Sequence, residues 1–301
     1  MTNHRVFVTG ATGVLGRRVV PRLVEAGHTV TAVARSEEKA AALRTAGATP
    51  VHVDLFDRDA VRAAVAGHDS IAQLATHIPT GPAAAEPSAW RINESLRRDA
   101  APAIAAAGGD AGVERFIQES ITFPYVDRGD EWVDEECERV SFWATDASAV
   151  AEAAAASVTA AGGVGIVLRF ALFMAADSAH TQSFFNAAER GLFALAGDPE
   201  SFISFVHMDD AAGAVVAALD APAGTYNVAE PDPVRRSAHR EMLANVVGMP
   251  LLRPVPDPVG STGVRTVASL GRSHRISSRR LREVSSWTPT IHCVDCWKEL
   301  R

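Results

Sequence analysis

The stretch Val6-Phe7-Val8-Thr9-Gly10-Ala11-Thr12-Gly13-Val14-Leu15-Gly16 decides how the rest of the chain is read. A short apolar run enters a glycine-rich turn, and a helical pattern (Leu15, Val19, Val20, Leu23, Val24) leaves it. Strand, turn and helix in that order open a βαβ unit that binds a dinucleotide. Each glycine has its own expected task. Gly10 allows the tight turn, Gly13 lets the backbone approach a pyrophosphate, and Gly16 lets the helix pack closely on the strand. With Thr12, Val14 and Leu15, the free N–H groups and positive dipole end of the helix then face the phosphates.

Composition narrows the classes around that start. With 301 residues, 47 % of them hydrophobic, the chain can bury a sizeable core in one large or two small units. It opens into a strand with no basic n-region, apolar h-region or cleavage site, and no apolar run is long enough to span a bilayer. A cytoplasmic protein is expected, with no membrane partner. A net charge of −7 argues against a nucleic-acid groove. The three cysteines imply no disulfide framework, and His292-Cys293-Val294-Asp295-Cys296 offers too few ligands for a metal, so none is expected.

Gly27 ends the first helix, and Thr29 to Ala34 reads as a second strand. It runs into Arg35-Ser36, about twenty residues beyond the last glycine, where an acidic residue would bond the ribose hydroxyls of NAD. A guanidinium offers a fork of donors to a 2′-phosphate instead, so Arg35 with Ser36 points to NADP(H) rather than NAD(H). Pro50 to Val53 is a third strand ending in Asp54-Leu55, and Asp57 to Ala66 is a helix. Ser70 to Leu74 is a fourth strand, followed by Ala75 and Thr76, where a nucleotide can lie close to the backbone, and by His77.

A Pro/Ala/Gly loop over 81–88 leads into a helix from Trp90 to Ala107 that carries Asn93. Arg115 to Gln118 is a fifth strand running into Glu119-Ser120-Ile121-Thr122-Phe123-Pro124-Tyr125. An acidic stretch precedes an alanine-rich helix from Phe142 to Ala161, and Gly165 to Phe170 is a sixth strand. This alternation predicts an α/β fold, a doubly wound parallel sheet. The expected division is a dinucleotide-binding domain over 1–170 and, over 171–301, mostly a substrate-binding cap with segments returning to the sheet. In the latter, helices are read over 179–190, 210–219 and 237–247, strands over 202–206 and 225–229, and a proline-rich connection over 250–258.

Taken together, these residues resemble the extended short-chain dehydrogenase/reductases, the group containing sugar-nucleotide epimerases and dehydratases. The likeness spans essentially the full length. It is carried by Thr9 to Gly16, Asp54-Leu55, Gln73 to Thr76, Asn93, Arg115 to Ile117, Arg169-Phe170, Val206 to Asp210 and Gly224 to Val228. It implies a bound nicotinamide dinucleotide, with Asp54, Leu55, Leu74, Asn93 and Phe170 among its contacts. It also implies an architectural rather than catalytic role for His207 to Asp210, and a homodimer through the long helices near 90–107 and 142–161.

The family's chemistry rests on a Tyr-x-x-x-Lys pair on the helix after the fifth strand, with a Ser or Thr near that strand's end. Here the pair is missing. Aligning on Glu152 puts Ala144 at the tyrosine position and Ser148 at the lysine position, and no lysine exists between Lys39 and Lys298. Ile121 falls where the active hydroxyl belongs, flanked by Ser120 and Thr122. Losing a positioned acid costs about 10²–10⁴ in rate, or about 3–5 kcal/mol of barrier. An electrophilic substrate such as a conjugated enone, a quinone-like ring or an iminium tolerates that loss.

Ser120, Thr122 and Tyr125 are therefore the candidate catalytic groups. His77, Trp143 and Phe173 are candidates for the substrate pocket, and Trp132, Phe184 and Phe185 for further aromatic walls. Asp146 is expected to face solvent. No basic clamp suits a sugar-nucleotide pyrophosphate, unless tail arginines such as Arg272 and Arg275 supply one. The leading expectation is an NADP(H)-dependent oxidoreductase acting on an activated small-molecule carbonyl or enone through a non-standard proton donor. The same scaffold also suits a redox-neutral isomerase, dehydratase or cyclase, or a non-catalytic NADP(H)-sensing protein.

Overall fold

A computed structural model describes residues 3–80, 83–84, 86–255 and 269–301. Strands β1 (Arg5–Thr9), β2 (Thr29–Val33), β3 (Thr49–Val51), β4 (Ser70–Gln73) and β5 (Arg115–Ile121) join the strands Val164–Phe170 and Gly224–Val228 in one sheet. The order is Gly224–Val228, Val164–Phe170, β5, β4, β1, β2, β3, with every pair parallel. A strand buried on both faces is apolar at consecutive positions, and Val6, Phe7 and Val8 are all fully buried. Val6 and Val8 pack with Val19, Val20 and Leu23 of α1 (Gly16–Glu25) and with the helix Met208–Ala217. Phe7 faces the other way, onto Val61 and Val65 of the helix Arg58–Val65, Ile104 and Ala154.

The strand order turns back at β1, whose neighbours are β2 and β4. The crevice beyond the carboxyl ends of the strands therefore opens there. Thr9 closes the joint. Its hydroxyl donates to Gln73 Oε1 and accepts the N–H groups of Leu74 (3.2 Å) and Ala75 (3.3 Å). Gly10 has φ +63°, and a Cβ on it would lie 2.5 Å from the Leu74 carbonyl carbon. A Cβ on Gly16 would strike the Gly10 carbonyl oxygen and lie 2.6 Å from the Ala11 α-carbon, so this glycine packs on the turn itself rather than on the strand.

Element ends shift by a few residues from those expected, and two shifts have clear causes. The helix expected from Phe142 starts at Asp146, because the Thr145 hydroxyl bonds back to the N–H and C=O of Phe142 and closes a separate turn. Ala144 thus lies outside the helix that carries Ser148. The helix expected over 90–107 runs over 91–110, with a wide turn at Leu96–Ala100 where the Ala101 N–H bonds to the Leu96 carbonyl. Pro102 follows that turn and lacks an N–H, which favours the widening. Of the expected proline-rich connection, residues 256–258 lie outside the described residues, as do 81, 82 and 85 of the Pro/Ala/Gly loop.

The later half builds a separate apolar cluster around Met174, Phe185, Phe193, Phe205, Leu243 and Trp297. Leu172–Met174 pairs with Phe205–His207, and Phe202–Ile203 with Val234–Arg235. His207 caps the Met208–Ala217 helix, and the Asp210 carboxylate accepts the N–H groups of Thr290 and Ile291 at 2.9 Å each. This segment is architectural in placement. Glu230, 2 % exposed, accepts the N–H groups of Phe205 and Cys293 at 2.9 Å each and ties the tail to the cap.

Gly10→Ala should cost about 3 kcal/mol or more in urea unfolding. Gly27→Ala, at φ +88° with open space around it, should cost only about 1 kcal/mol. Equal losses would show that the turn relaxes. A second expectation concerns pH. Burial pushes the Glu230 carboxyl up to about 7, against its two N–H donors. The native chain then holds this proton more tightly than the unfolded chain. The stability it contributes is fully present below pH 4.5, the ordinary value, and is lost as pH rises through 7. Stability should fall by about 3 kcal/mol across that window, and Glu230→Gln should remove the slope.

Candidate active site

Along the carboxyl edge of β3, β2, β1, β4 and β5 runs a cleft of about 490 Å³. Arg35, His52, Asp54, Leu55 and Phe56 form its outer end, beyond β2 and β3. Gly10, Thr12, Gly13, Val14, Leu15 and Gly16 form its middle. Leu74 to His77, Ile92, Leu96, Glu119 and Phe173 form its inner end. Gly13 is exposed, and a Cβ there would meet only the Gly10 carbonyl oxygen at 3.2 Å. The turn is thus a shallow cradle of N–H groups at a helix start, which fits a pyrophosphate. Arg35 is exposed and has no carboxylate partner among the described residues.

Three expected contacts do not line the cleft. The Ser36 hydroxyl caps the helix Glu37–Thr45 by accepting the Lys39 N–H at 3.3 Å. Asn93 is buried, and its side-chain oxygen accepts the His77 N–H at 3.0 Å, which fixes the loop after β4. Phe170 is buried against Phe173, with ring centroids 5.2 Å apart. His52, Phe56, Ile92, Leu96 and Glu119 line the cleft without having been singled out from the sequence. His52 is aimed by its Nδ1, 3.0 Å from the Ala34 carbonyl oxygen.

The candidate acids are all engaged elsewhere or set back from the cleft. Tyr125 is fully buried, donates to Asn227 Oδ1 at 2.8 Å and accepts from Arg169 Nη1 at 2.7 Å. Burial pushes its phenol up to about 12 against the opposing arginine. The phenol is held in the core and does not line the cleft. Ser120, also fully buried, donates to Glu152 Oε1 at 2.5 Å. Thr122 is buried and does not line the cleft. Ser148 donates to the Thr145 carbonyl at 2.7 Å. Asp146 is exposed, as expected.

Glu152 is the hub of that buried network. Besides Ser120 it accepts from Arg139 Nη1 at 2.6 Å and from Arg169 Nη2 at 2.8 Å. Burial pushes its carboxyl up, but the two guanidiniums and the hydroxyl outweigh burial and hold it below the usual range. The aromatic walls are dispersed too. Trp143 packs edge-on against Trp90, Phe184 packs against Trp297, Phe185 lies in the cap cluster, and Trp132 sits under Arg275. Only Phe173 of that set lines the cleft. Arg272 Nη1 is turned onto the carbonyls of Tyr125 and Val140 at 3.0 Å each, so it is no pyrophosphate clamp.

A buried ion pair stands beside the inner end of the cleft. Arg97, inside the wide turn, places Nη2 at 2.9 and 2.8 Å from the two oxygens of Glu119, and the side chains are 3 % and 4 % exposed. In the sequence the two residues are 22 positions apart, and no local pattern joins them.

A doubly wound sheet with this cradle defines a dinucleotide-binding α/β protein. The family described as NAD(P)H-binding matches residues 10–165, and the chain belongs to it. A relative from Streptomyces sp., 3-diazoavenalumate denitrifying reductase, is 27 % identical over 299 residues, covering 95 % of this chain and 96 % of its own. MoeE5 in complex with UDP-glucuronic acid and NAD superposes with a TM-score of 0.76 at 21 % identity, covering 97 % of this chain and 96 % of that one. DesIV, the dTDP-glucose 4,6-dehydratase of Streptomyces venezuelae with NAD and TYD bound, superposes with a TM-score of 0.78 at 17 % identity, covering 98 % and 95 %. The fold is that of the epimerase/dehydratase group of extended short-chain dehydrogenase/reductases. Among the described residues no helix is long and apolar enough to cross a membrane.

Tyr125→Phe should lower stability by about 1–2 kcal/mol, since it removes a buried donor and acceptor, and leave dinucleotide affinity unchanged in a calorimetric titration. A variant that kept its stability but lost nucleotide would return the phenol to the site.

Proposed function

We propose that the chain is an NADPH-dependent reductase of a small electrophile that accepts hydride without a proton from the protein. One observation carries this reading. The glycine turn, Arg35, Asp54 and Leu55 line the cleft, while none of the hydroxyls expected to act as acids does. When bound, the reduced nicotinamide supplies a hydride. The glycine turn holds the pyrophosphate, and Arg35 meets the 2′-phosphate with charge-assisted bonds. Leu96 and Phe173 present apolar surface to the reacting ring and limit water at the inner end.

A substrate with its own driving force fits such a site better than an unactivated ketone. The name of the Streptomyces relative points to one class, a diazo-bearing aromatic acid that loses its nitrogen. There the ring carbon gains the hydride, the C–N bond breaks with its electron pair going to nitrogen, and dinitrogen leaves. No proton is needed in that step. Enones and quinone-like rings belong to the same electrophilic set. We further propose that the cap over 171–301 closes the pocket, that the protein acts in the cytoplasm, and that two copies pair through the helices 91–110 and 146–160. Ala149, Ala153, Ala156 and Ala160 form an exposed stripe on the second of these.

Calorimetric titration should show NADPH bound more tightly than NADH, with Arg35→Ala weakening NADPH by about tenfold to a hundredfold and leaving NADH unaffected. Offered an aryl diazo acid, the protein should oxidise one NADPH per dinitrogen released, with deuterium from 4-deuterated NADPH appearing at the ring carbon. Tight nucleotide binding without consumption of any electrophile would favour redox-neutral chemistry or a sensing role. Binding of neither nucleotide would sink the proposal.

A further inference from the structure

We infer that His52 is a second specificity residue at the outer end of the cleft, and that it couples binding of a 2′-phosphorylated dinucleotide to uptake of a proton. The inference deepens the reading that the cleft binds NADP(H) through Arg35, and it rests on that reading.

The end of β3 is laced to the end of β2. The Ala34 N–H donates to the Val51 carbonyl at 2.9 Å, and His52 Nδ1 lies 3.0 Å from the Ala34 carbonyl oxygen. The imidazole is thereby held against the peptide that joins Ala34 to Arg35. His52 and Arg35 are both exposed, and both line the cleft. Nε2 has no hydrogen-bond partner among the described residues, so it is the polar atom of the ring left for a ligand.

Hydrogen-bond chemistry fixes the direction of the effect. A carbonyl oxygen only accepts, so Nδ1 carries a hydrogen. The neutral ring then presents a bare lone pair at Nε2. That lone pair accepts from a ribose 2′-hydroxyl, but it opposes a phosphate, whose oxygens are acceptors as well. Once protonated, the ring donates from Nε2 and adds a positive charge beside Arg35, and the bond to a phosphate becomes charge-assisted. Imidazole is the side chain that makes this change near neutral pH.

The surrounding charges leave the phosphate to decide. Arg35 opposes protonation, and Asp54, which lines the same end, favours it. Asp57 is committed to the helix start that follows it. The helix Glu37–Thr45 packs on β3; on it Glu37 is paired with Arg44, and Glu38 and Lys39 carry opposite charges. A phosphate with close to two negative charges then tips the ring to its cation. NAD(H), whose 2′-hydroxyl pairs with the neutral ring, binds without that proton. Arg35 supplies a permanent charge at this end, and His52 supplies one that appears with the phosphate.

The test is calorimetric titration of the full chain with NADP+ and with NAD+ at about pH 7.5, in buffers of different ionisation enthalpy, so that the proton count is read without catalysis. The wild type should take up about half to one proton with NADP+ and none with NAD+. His52→Gln, whose amide donates without titrating, should keep most of the NADP+ affinity and lose the proton. His52→Phe should weaken NADP+ about tenfold, change NAD+ far less, and lose the proton too. An NADP+ preference without proton uptake in the wild type would overturn the inference while leaving the Arg35 reading intact. Uptake that persists in His52→Phe would overturn it as well, because the proton would then sit on the phosphate. A wild type that binds neither nucleotide, or both equally, would overturn the reading and the inference with it.

Discussion

The contact between the α-carbon of Gly10 and the backbone at the end of β4 governs the rest of the structure. No side chain fits between them, so the first turn is pressed against the next strand of the sheet. Thr9 bonds the two strand ends together. From that joint the α1 N-terminus is aimed along the carboxyl edge, and the cleft acquires its direction from β3 to β5. Gly16 then holds the helix start against the turn. A nucleotide-shaped cradle thus follows from steric exclusion at two glycines before any polar contact is considered.

Arginine shapes the interior in a way lysine would not. The forked guanidinium of Arg236 reaches Ser201 Oγ, the Phe202 carbonyl, the Leu270 carbonyl and the Arg272 carbonyl at once, at 2.6 to 3.1 Å. Arg169 likewise joins Glu152 to Tyr125. A lysine, with its compact ammonium, has no fixed planar fork to span such partners. The hydroxyls of Ser120, Tyr125 and Ser148 each find a partner within the protein. That is why Ser120, Ser148 and Tyr125 serve the protein's own framework.

The sheet was largely legible from sequence, because glycine turns, apolar strands and helix periodicity are local signals. The outer and middle parts of the cleft were legible for the same reason, since Arg35, Asp54 and the glycine turn sit at fixed distances from strand ends. The inner end was not. Whether Ser120 faces a ligand or Glu152 depends on a helix more than twenty-five residues away in the chain. Tyr125 keeps the spacing of the family's segment, yet its direction is set by Asn227 and Arg169. The Arg97–Glu119 pair escaped notice because a wide turn rotates Arg97 inward, and periodicity assumes a regular helix.

Trp297 has a consequence for the order in which the protein becomes whole. It is fully buried in the cap, edge-on to Phe205 and Phe184, and its indole N–H donates to His239 at 3.0 Å. It is synthesised after Phe184, Phe205 and His239, the rings it packs against. The parallel sheet has all its strands by Val228 and can consolidate while the chain is still being made. The apolar cluster of the cap must wait, with an open seat for one indole. During that interval the sheet and its glycine turn stand beside an apolar cluster that still lacks its last large side chain.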